Sequence, residues 1–153
     1  MGVVENMRVS EPAAPACQLW RLHHVGFVVN SIEAVADRFA KSIGATWDHK
    51  ITHDPLQLVR VSFIGGGKPS CTSVELVEPA GADSPVGRFL QRGGGLHHLC
   101  YEVEQLEEQL SFSRSAGGVI VKPPLPAAAF DGRRIAWVVT KDKLLLEFLE
   151  FGN

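Results

Sequence analysis

The chain has 153 residues, of which 45% are hydrophobic and 21% charged, a balance typical of one globular domain and unlike that of a disordered or fibrous protein. Its 15 Lys and Arg residues against 17 Asp and Glu give a formal net charge of −2, so we expect no nucleic-acid partner. No apolar run approaches the ~20 residues of a membrane-spanning helix, so we expect no membrane partner either.

Residues 1–19 are expected to form a mobile leader ahead of a single domain at residues 20–153. The leader contains a Glu-Pro-Ala-Ala-Pro stretch, which suits neither helix nor sheet, and it lacks the basic and apolar regions of a signal peptide. Cys17, Cys71 and Cys100 form no CxxC pair and no disulfide framework. These features predict reduced thiols and a cytoplasmic location.

The first half of the domain predicts a strand, a helix and three further strands. Asn30 and Ser31 are suitable N-cap residues for the helix, and Gly44 is expected to end it. The break at His53-Asp54-Pro55 separates two of the strands. In chain order, the predicted segments are 22–29, 32–43, 47–52, 58–64 and 72–77.

The second half repeats this order. Between the halves, Ser84 and Pro85 predict the start of a linker helix over residues 84–92. A strand at 96–103 is followed by a helix from Leu106 and by three strands at 119–121, 134–140 and 144–151. The repetition indicates two similar modules, at about 20–80 and 95–153, related by a pseudo-twofold axis.

Chemically distinctive residues repeat together with the modules. His24 and His98 lie 74 positions apart, and Glu75 and Glu147 lie 72 positions apart. Strand alternation places His24 beside Gly26 on one face of its strand, with His23 on the bulkier opposite face. The same alternation directs His98 into the same space, and the apolar neighbours of both glutamates favour an inward carboxylate.

Two imidazoles and two carboxylates that meet in a sheet predict a divalent metal site. Burying them together would be costly without a compensating cation. Mixed nitrogen and oxygen ligands suit Zn, Ni, Co, Mn or Fe better than Ca or Mg. A lone strand histidine is more often a structural residue, but the internal repetition favours one metal ion held by His24, Glu75, His98 and Glu147.

Several stretches of the chain resemble the vicinal oxygen chelate superfamily, which includes glyoxalase I, extradiol dioxygenases and bleomycin-resistance proteins. The similarity is greatest to its methylmalonyl-CoA epimerases. The matching stretches, within residues 21–151, are LHHVGFVVNSIEAVADRF, VRVSFI, VELVEPAGADSPVGRFLQRGGGLHHLCYEV and LLLEFLE.

The resemblance implies an α+β fold, in which paired βαβββ modules form a cupped eight-stranded mixed sheet with the helices outside. It implies a homodimer, a small-molecule substrate such as an acyl-CoA, and the same four metal ligands. It further implies a metal-dependent isomerase that acts by metal-stabilised enolate formation, with Glu147 and Glu75 as candidate catalytic bases.

The chain departs from the epimerases in two places. Before the last strand it has Val139-Thr140-Lys141-Asp142, where the epimerases tend to carry His-Pro-Lys-Asp. Leu56 stands where these enzymes carry an acid/base glutamate, and Asp54 is nearby but two residues away. Two alternatives therefore stay open, namely a glyoxalase-I-like lyase and a non-catalytic ligand-binding or resistance module. The two-His, two-Glu set argues against a dioxygenase, whose facial triad has a single carboxylate. Arg60, Arg133 and Arg134 are further candidates for binding a carboxylate or phosphate.

Overall fold

A computed structural model of the chain describes residues 20–65 and 71–152, so the predicted leader and Cys17 lie outside the described residues. None of the described helices has the length and apolar character needed to cross a membrane. A 3-10 helix, Ala128–Phe130, accompanies the main elements. In chain order, these are β1 (Trp20–Val28), α1 (Ile32–Ser42), β2 (Thr52–Asp54), β3 (Val59–Ile64), β4 (Ser73–Pro79), α2 (Gly87–Gln91), β5 (Gly95–Val103), α3 (Leu106–Ser115), β6 (Val119–Pro126), β7 (Arg134–Val139) and β8 (Leu145–Glu150).

The strands form one eight-stranded sheet in the order β2-β3-β4-β1-β5-β8-β7-β6. β1 and β5 pair antiparallel at its centre, and each is flanked by a parallel neighbour, β4 or β8. The remaining pairs are antiparallel. This arrangement confirms the predicted mixed sheet of paired βαβββ units.

Each long helix buries an apolar stripe against the strands of its own unit. The stripe of α1 comprises Ile32, Ala36 and Ala40, which pack with Ile64 and Leu76. The equivalent stripe of α3 lies in a second cluster with β5, β7 and β8, made of Val103, Leu106, Leu110, Ala136, Val138 and Phe148. The spacing of four residues on both helices keeps these side chains on one face.

Matching ion triads attach both helix starts to the sheet. Arg60 on β3 pairs with Glu33 of α1 and with Glu78 of β4, at 2.8 Å in the latter case. The second triad, Arg134 with Glu107 and Glu150, repeats these residues at offsets of 74, 74 and 72 positions. These arginines are therefore engaged in internal ion pairs.

Arg133 is also engaged internally. Its guanidinium donates to Glu102 Oε1 at 2.6 Å, and Arg21 pairs with the other oxygen of the same carboxylate. Glu102 is only 4% exposed, so the two cations balance a buried negative charge.

The two ends of the sheet approach each other, although no backbone ladder joins β2 to β6 within the described residues. Asp54 at the end of β2 accepts a hydrogen bond from the Ala128 N–H through Oδ2 at 2.9 Å. Lys122 on β6 donates to the Leu56 carbonyl at 3.1 Å. We call this contact between the two sheet ends the seam; it encloses one side of the cup.

Several element boundaries differ from the sequence prediction. β2 lies at residues 52–54 and not at 47–52. The strand ends at Asp54, because Asp54 Oδ1 accepts the N–H groups of Leu56 and Gln57 and so turns the chain. β6 extends past its predicted end at residue 121 through three prolines, which an edge strand tolerates. Ser84 does not cap α2, which begins at Gly87 after a turn.

The α3 cluster provides a test of the packing. Leu106 is fully buried, so Leu106→Ala is expected to lower the free energy of unfolding by about 2–5 kcal/mol in urea denaturation. Leu144→Ala, at a side chain that is 62% exposed, should change it by less than about 0.5 kcal/mol. Equal effects of the two substitutions would contradict this packing.

Candidate metal and substrate site

The structure brings together the four residues that the sequence analysis selected. The Nε2 atoms of His24 and His98 lie 3.1 Å apart. Glu75 Oε2 lies 3.3 Å from each of these nitrogens. Glu147 Oε2 lies 3.1 Å from His24 Nε2 and 3.6 Å from His98 Nε2. All four residues are buried, with exposures of 0–5%.

Strand register places the four side chains. Gly26 of β1 pairs with Glu75 on one side and with His98 on the other. Cys100, the partner of His24 across β1 and β5, pairs in turn with Glu147. The carboxylates therefore reach the cluster from the two strands that flank the central pair, one from each side.

Gly26 provides the space that the His98 imidazole occupies. A Cβ atom at this position would lie 2.0 Å from His98 Cε1, far inside van der Waals contact. The absence of a side chain at Gly26 therefore leaves room in front of the sheet for this ring.

The four groups perturb one another strongly. Burial alone would lower the pKa of His24, but the Glu75 and Glu147 carboxylates outweigh it and raise that pKa to about 10. The pKa of His98 is also raised, because the same two carboxylates outweigh the effect of its burial. Burial would raise the pKa of Glu147, but the two imidazoles hold it well below its usual range. The carboxylates therefore create a strongly negative buried site that favours positive charge.

The outer histidine of each doublet supports the inner one, a role that the sequence analysis missed. His23 Nδ1 lies 2.9 Å from His24 Nδ1, and His97 Nδ1 lies 3.0 Å from His98 Nδ1. Strict alternation assigned His23 and His97 to the opposite face. Instead, the pairing of β1 with β5 shifts register at His23 and at His97. Such bulges redirect side chains, and here each outer ring turns toward the inner histidine beside it. The repeated His-His doublet was the available signal.

The cluster opens on a cavity of about 310 Å³. Trp137 lines this cavity and packs edge-on against the His98 ring, with 4.7 Å between ring centroids. Most of the remaining wall is apolar, including Val59, Val61, Val77, Val86, Ala127, Ala129, Phe130, Ile135 and Leu145. The arrangement combines a polar floor with walls that exclude water.

Neither Leu56, which replaces the acid/base glutamate of the epimerases, nor nearby Asp54 is placed to transfer a proton at the cluster. Leu56 is an exposed side chain on the turn after β2. Asp54 lines the cavity, but it accepts three backbone N–H bonds, from Leu56, Gln57 and Ala128. Its carboxylate is therefore committed to holding the turn and the seam.

Gly26→Ala tests the clearance above β1. The added methyl group must displace the His98 ring, so we expect a loss of at least about 1–3 kcal/mol in unfolding free energy and a moved imidazole in a crystal structure. Gly87→Ala is the matched control, since its Cβ meets no described atom within 4 Å and it starts a helix. That substitution should leave stability unchanged or raise it by up to about 1 kcal/mol. If the His98 ring keeps its position in Gly26→Ala, Gly26 is not the residue that makes room for it.

Comparison with known proteins agrees with this architecture. Residues 23–137 match the model of the glyoxalase/bleomycin resistance protein/dioxygenase superfamily. The ethylmalonyl-CoA/methylmalonyl-CoA epimerase of Cereibacter sphaeroides is 32% identical over 124 residues, which cover 80% of this chain and 90% of that protein.

Solved structures show the same fold. The hypothetical protein BH1468 of Bacillus halodurans aligns with a TM-score of 0.71 at 28% identity, over 88% of this chain and 96% of the other. The methylmalonyl-CoA epimerase of Mycobacterium tuberculosis aligns with a TM-score of 0.73 at 24% identity, over 86% and 88% of the two chains. The chain thus belongs to the glyoxalase/bleomycin resistance protein/dioxygenase superfamily.

Proposed function

We propose that this protein is a metal-dependent epimerase of 2-carboxyacyl-CoA thioesters of the methylmalonyl-CoA type. The observation that carries the proposal is the buried cluster of two imidazoles and two carboxylates on the floor of the cavity. The similarity to the ethylmalonyl-CoA/methylmalonyl-CoA epimerase supports this substrate class.

The donor set fits a divalent cation held by His24, Glu75, His98 and Glu147. Metal–ligand bonds of about 2.0–2.2 Å place neighbouring ligand atoms about 2.8–3.6 Å apart. The observed separations of 3.1–3.6 Å fall within this range. Glu147 Oε2 is buried and lies near both Nε2 atoms without a well-aligned hydrogen bond among the described residues, as expected of an atom that binds an ion. Mixed nitrogen and oxygen ligands favour Zn, Ni, Co, Mn or Fe.

The outer histidines would orient this ligand set. An imidazole that binds a cation through Nε2 carries its proton on Nδ1 and can donate it to a neighbour. The Nδ1 atoms of His23 and His97 lie at hydrogen-bond distance to accept those protons. Both rings would thereby be fixed with Nε2 toward the centre of the cluster.

Epimerisation removes a proton from one face of the carbon next to the thioester and returns a proton to the other face. A bound cation supplies Lewis acidity toward the substrate's carbonyl oxygen and makes that C–H bond more acidic. Glu147 and Glu75 approach from opposite sides of the central strand pair, and both carboxylates are ionised before the reaction. One of them would accept the α-proton, and the other, after taking up a proton from solvent as the substrate binds, would return it to the opposite face. The apolar cavity wall keeps water from the carbanionic carbon.

Metal content provides the first test. Purified protein is expected to hold about one divalent ion per chain by elemental mass spectrometry, and chelation should lower its melting temperature. His98→Ala should lose the ion, while His53→Ala, at an exposed histidine of β2, should retain it. A wild-type protein without any ion after growth in metal-supplemented medium would contradict the site.

Exchange of the α-proton provides the second test. Wild-type protein in D₂O should incorporate deuterium at C2 of methylmalonyl-CoA. Glu147→Gln and Glu75→Gln should each slow this exchange by about 100-fold or more, because each removes a group that transfers the proton. Glu104→Gln, an exposed control, should exchange at the wild-type rate. Unchanged exchange in Glu147→Gln would show that this residue is not a base.

The same assay separates the alternatives. A ligand-binding or resistance module would bind methylmalonyl-CoA without any exchange, and a lyase would show no epimerisation of a single stereoisomer. The homodimer and the cytoplasmic location stay predictions.

A further inference from the structure

Gln57 and Lys122 form a polar pair on the wall of the cavity, outside the metal cluster. Gln57 follows β2 and Lys122 lies on β6, so the pair belongs to the seam between the two sheet ends. Lys122 Nζ donates to Gln57 Oε1 at 2.8 Å and to the Leu56 carbonyl at 3.1 Å. Both side chains line the same cavity as Glu75 and Glu147.

The pair retains hydrogen-bond donors after these contacts. An ammonium group has three N–H donors, and the two bonds of Lys122 leave one available. Both acceptors are neutral oxygens, so neither offsets the positive charge. The ammonium group also fixes the Gln57 amide with Oε1 toward it, which leaves the Nε2 group to other partners.

The Gln57 Nε2 group is an unsatisfied donor. Gln57 is 8% exposed, and its Nε2 atom is buried without a hydrogen-bond partner among the described residues. A buried donor without an acceptor costs about 1–3 kcal/mol, which favours a ligand that supplies the acceptor. Neighbouring Asp54 is not that acceptor, because its oxygens receive backbone N–H groups.

An ammonium group and an amide NH₂ on one wall complement a carboxylate, which has two acceptor oxygens and a negative charge. We propose that Gln57 and Lys122 bind the free carboxylate of the thioester substrate and so select carboxyacyl over plain acyl thioesters. The assignment rests on the proposed function, in which the acyl end of the substrate occupies this cavity. A carboxylate held here orients the α-carbon between the two glutamates on the floor.

Calorimetric titration with malonyl-CoA, propionyl-CoA and free CoA tests this assignment. These probes share the CoA part, and only malonyl-CoA carries the free carboxylate. Lys122→Met is expected to weaken malonyl-CoA binding by about 10- to 100-fold, the usual range for a charged hydrogen bond, and to leave propionyl-CoA and CoA within about threefold. Lys122→Arg should retain most of the malonyl-CoA affinity.

Matched variants control for indirect effects. Lys41→Met removes an exposed lysine from the last turn of α1 and should bind all three probes like the wild type. If Lys122→Met unfolds by circular dichroism, Gln57→Leu replaces it, with the same selective loss of malonyl-CoA binding expected.

The remaining outcomes overturn the assignment in distinguishable ways. An equal loss for all three probes would place Lys122 against the CoA phosphates or in a purely structural role. Unchanged malonyl-CoA binding by the variants would show that the pair makes no contact with the carboxylate. A carboxylate-selective loss without deuterium exchange in the wild type would support the subsite while overturning the epimerase, and no binding of malonyl-CoA by the wild type would overturn both.

Discussion

The antiparallel pairing of β1 with β5 is the constraint on which the rest of the structure depends. It joins the two halves of the chain at the centre of the sheet and sets Gly26 opposite His98. Only a residue without a side chain leaves space for the imidazole there, since a Cβ atom would lie 2.0 Å from the ring. The register also brings the His24 ring against His98, so one strand pair determines both the fold and the centre of the site.

The internal repeat extends from the site to the parts that support it. Each half contributes one imidazole, one carboxylate and one supporting histidine at a shifted register. The ion triads at Arg60 and Arg134 repeat at the same offsets as the site residues. Because the four cluster residues contact one another across the two halves, the cluster marks the place where the halves meet. The seam is the main departure from this symmetry, since Gln57 and Lys122 differ in type and location.

The sequence was most informative where local pattern and internal repetition agreed. The chain order of the strands, both long helices and the convergence of the four selected residues could be predicted, because strand alternation and the repeat gave the same answer. The eight-stranded sheet was implied by the family resemblance. Alternation failed at His23 and His97, where a bulge depends on pairing between distant strands. The seam could not be predicted either, because it depends on the curvature of the whole sheet. Ser84 resembled a helix cap locally, but the chain turns once more before α2 begins.

The pairing of β1 with β5 also has a consequence for folding kinetics. Its partner residues are 67–83 positions apart, from Val28 with Gly95 to Trp20 with Val103. The hairpin of β7 and β8 pairs residues only 6–14 positions apart. Long-range pairing carries a larger loop-closure entropy, so we expect hairpins within each half to form before the halves join. We therefore expect the four buried residues of the cluster to meet late in folding, after the hairpins of both halves have formed.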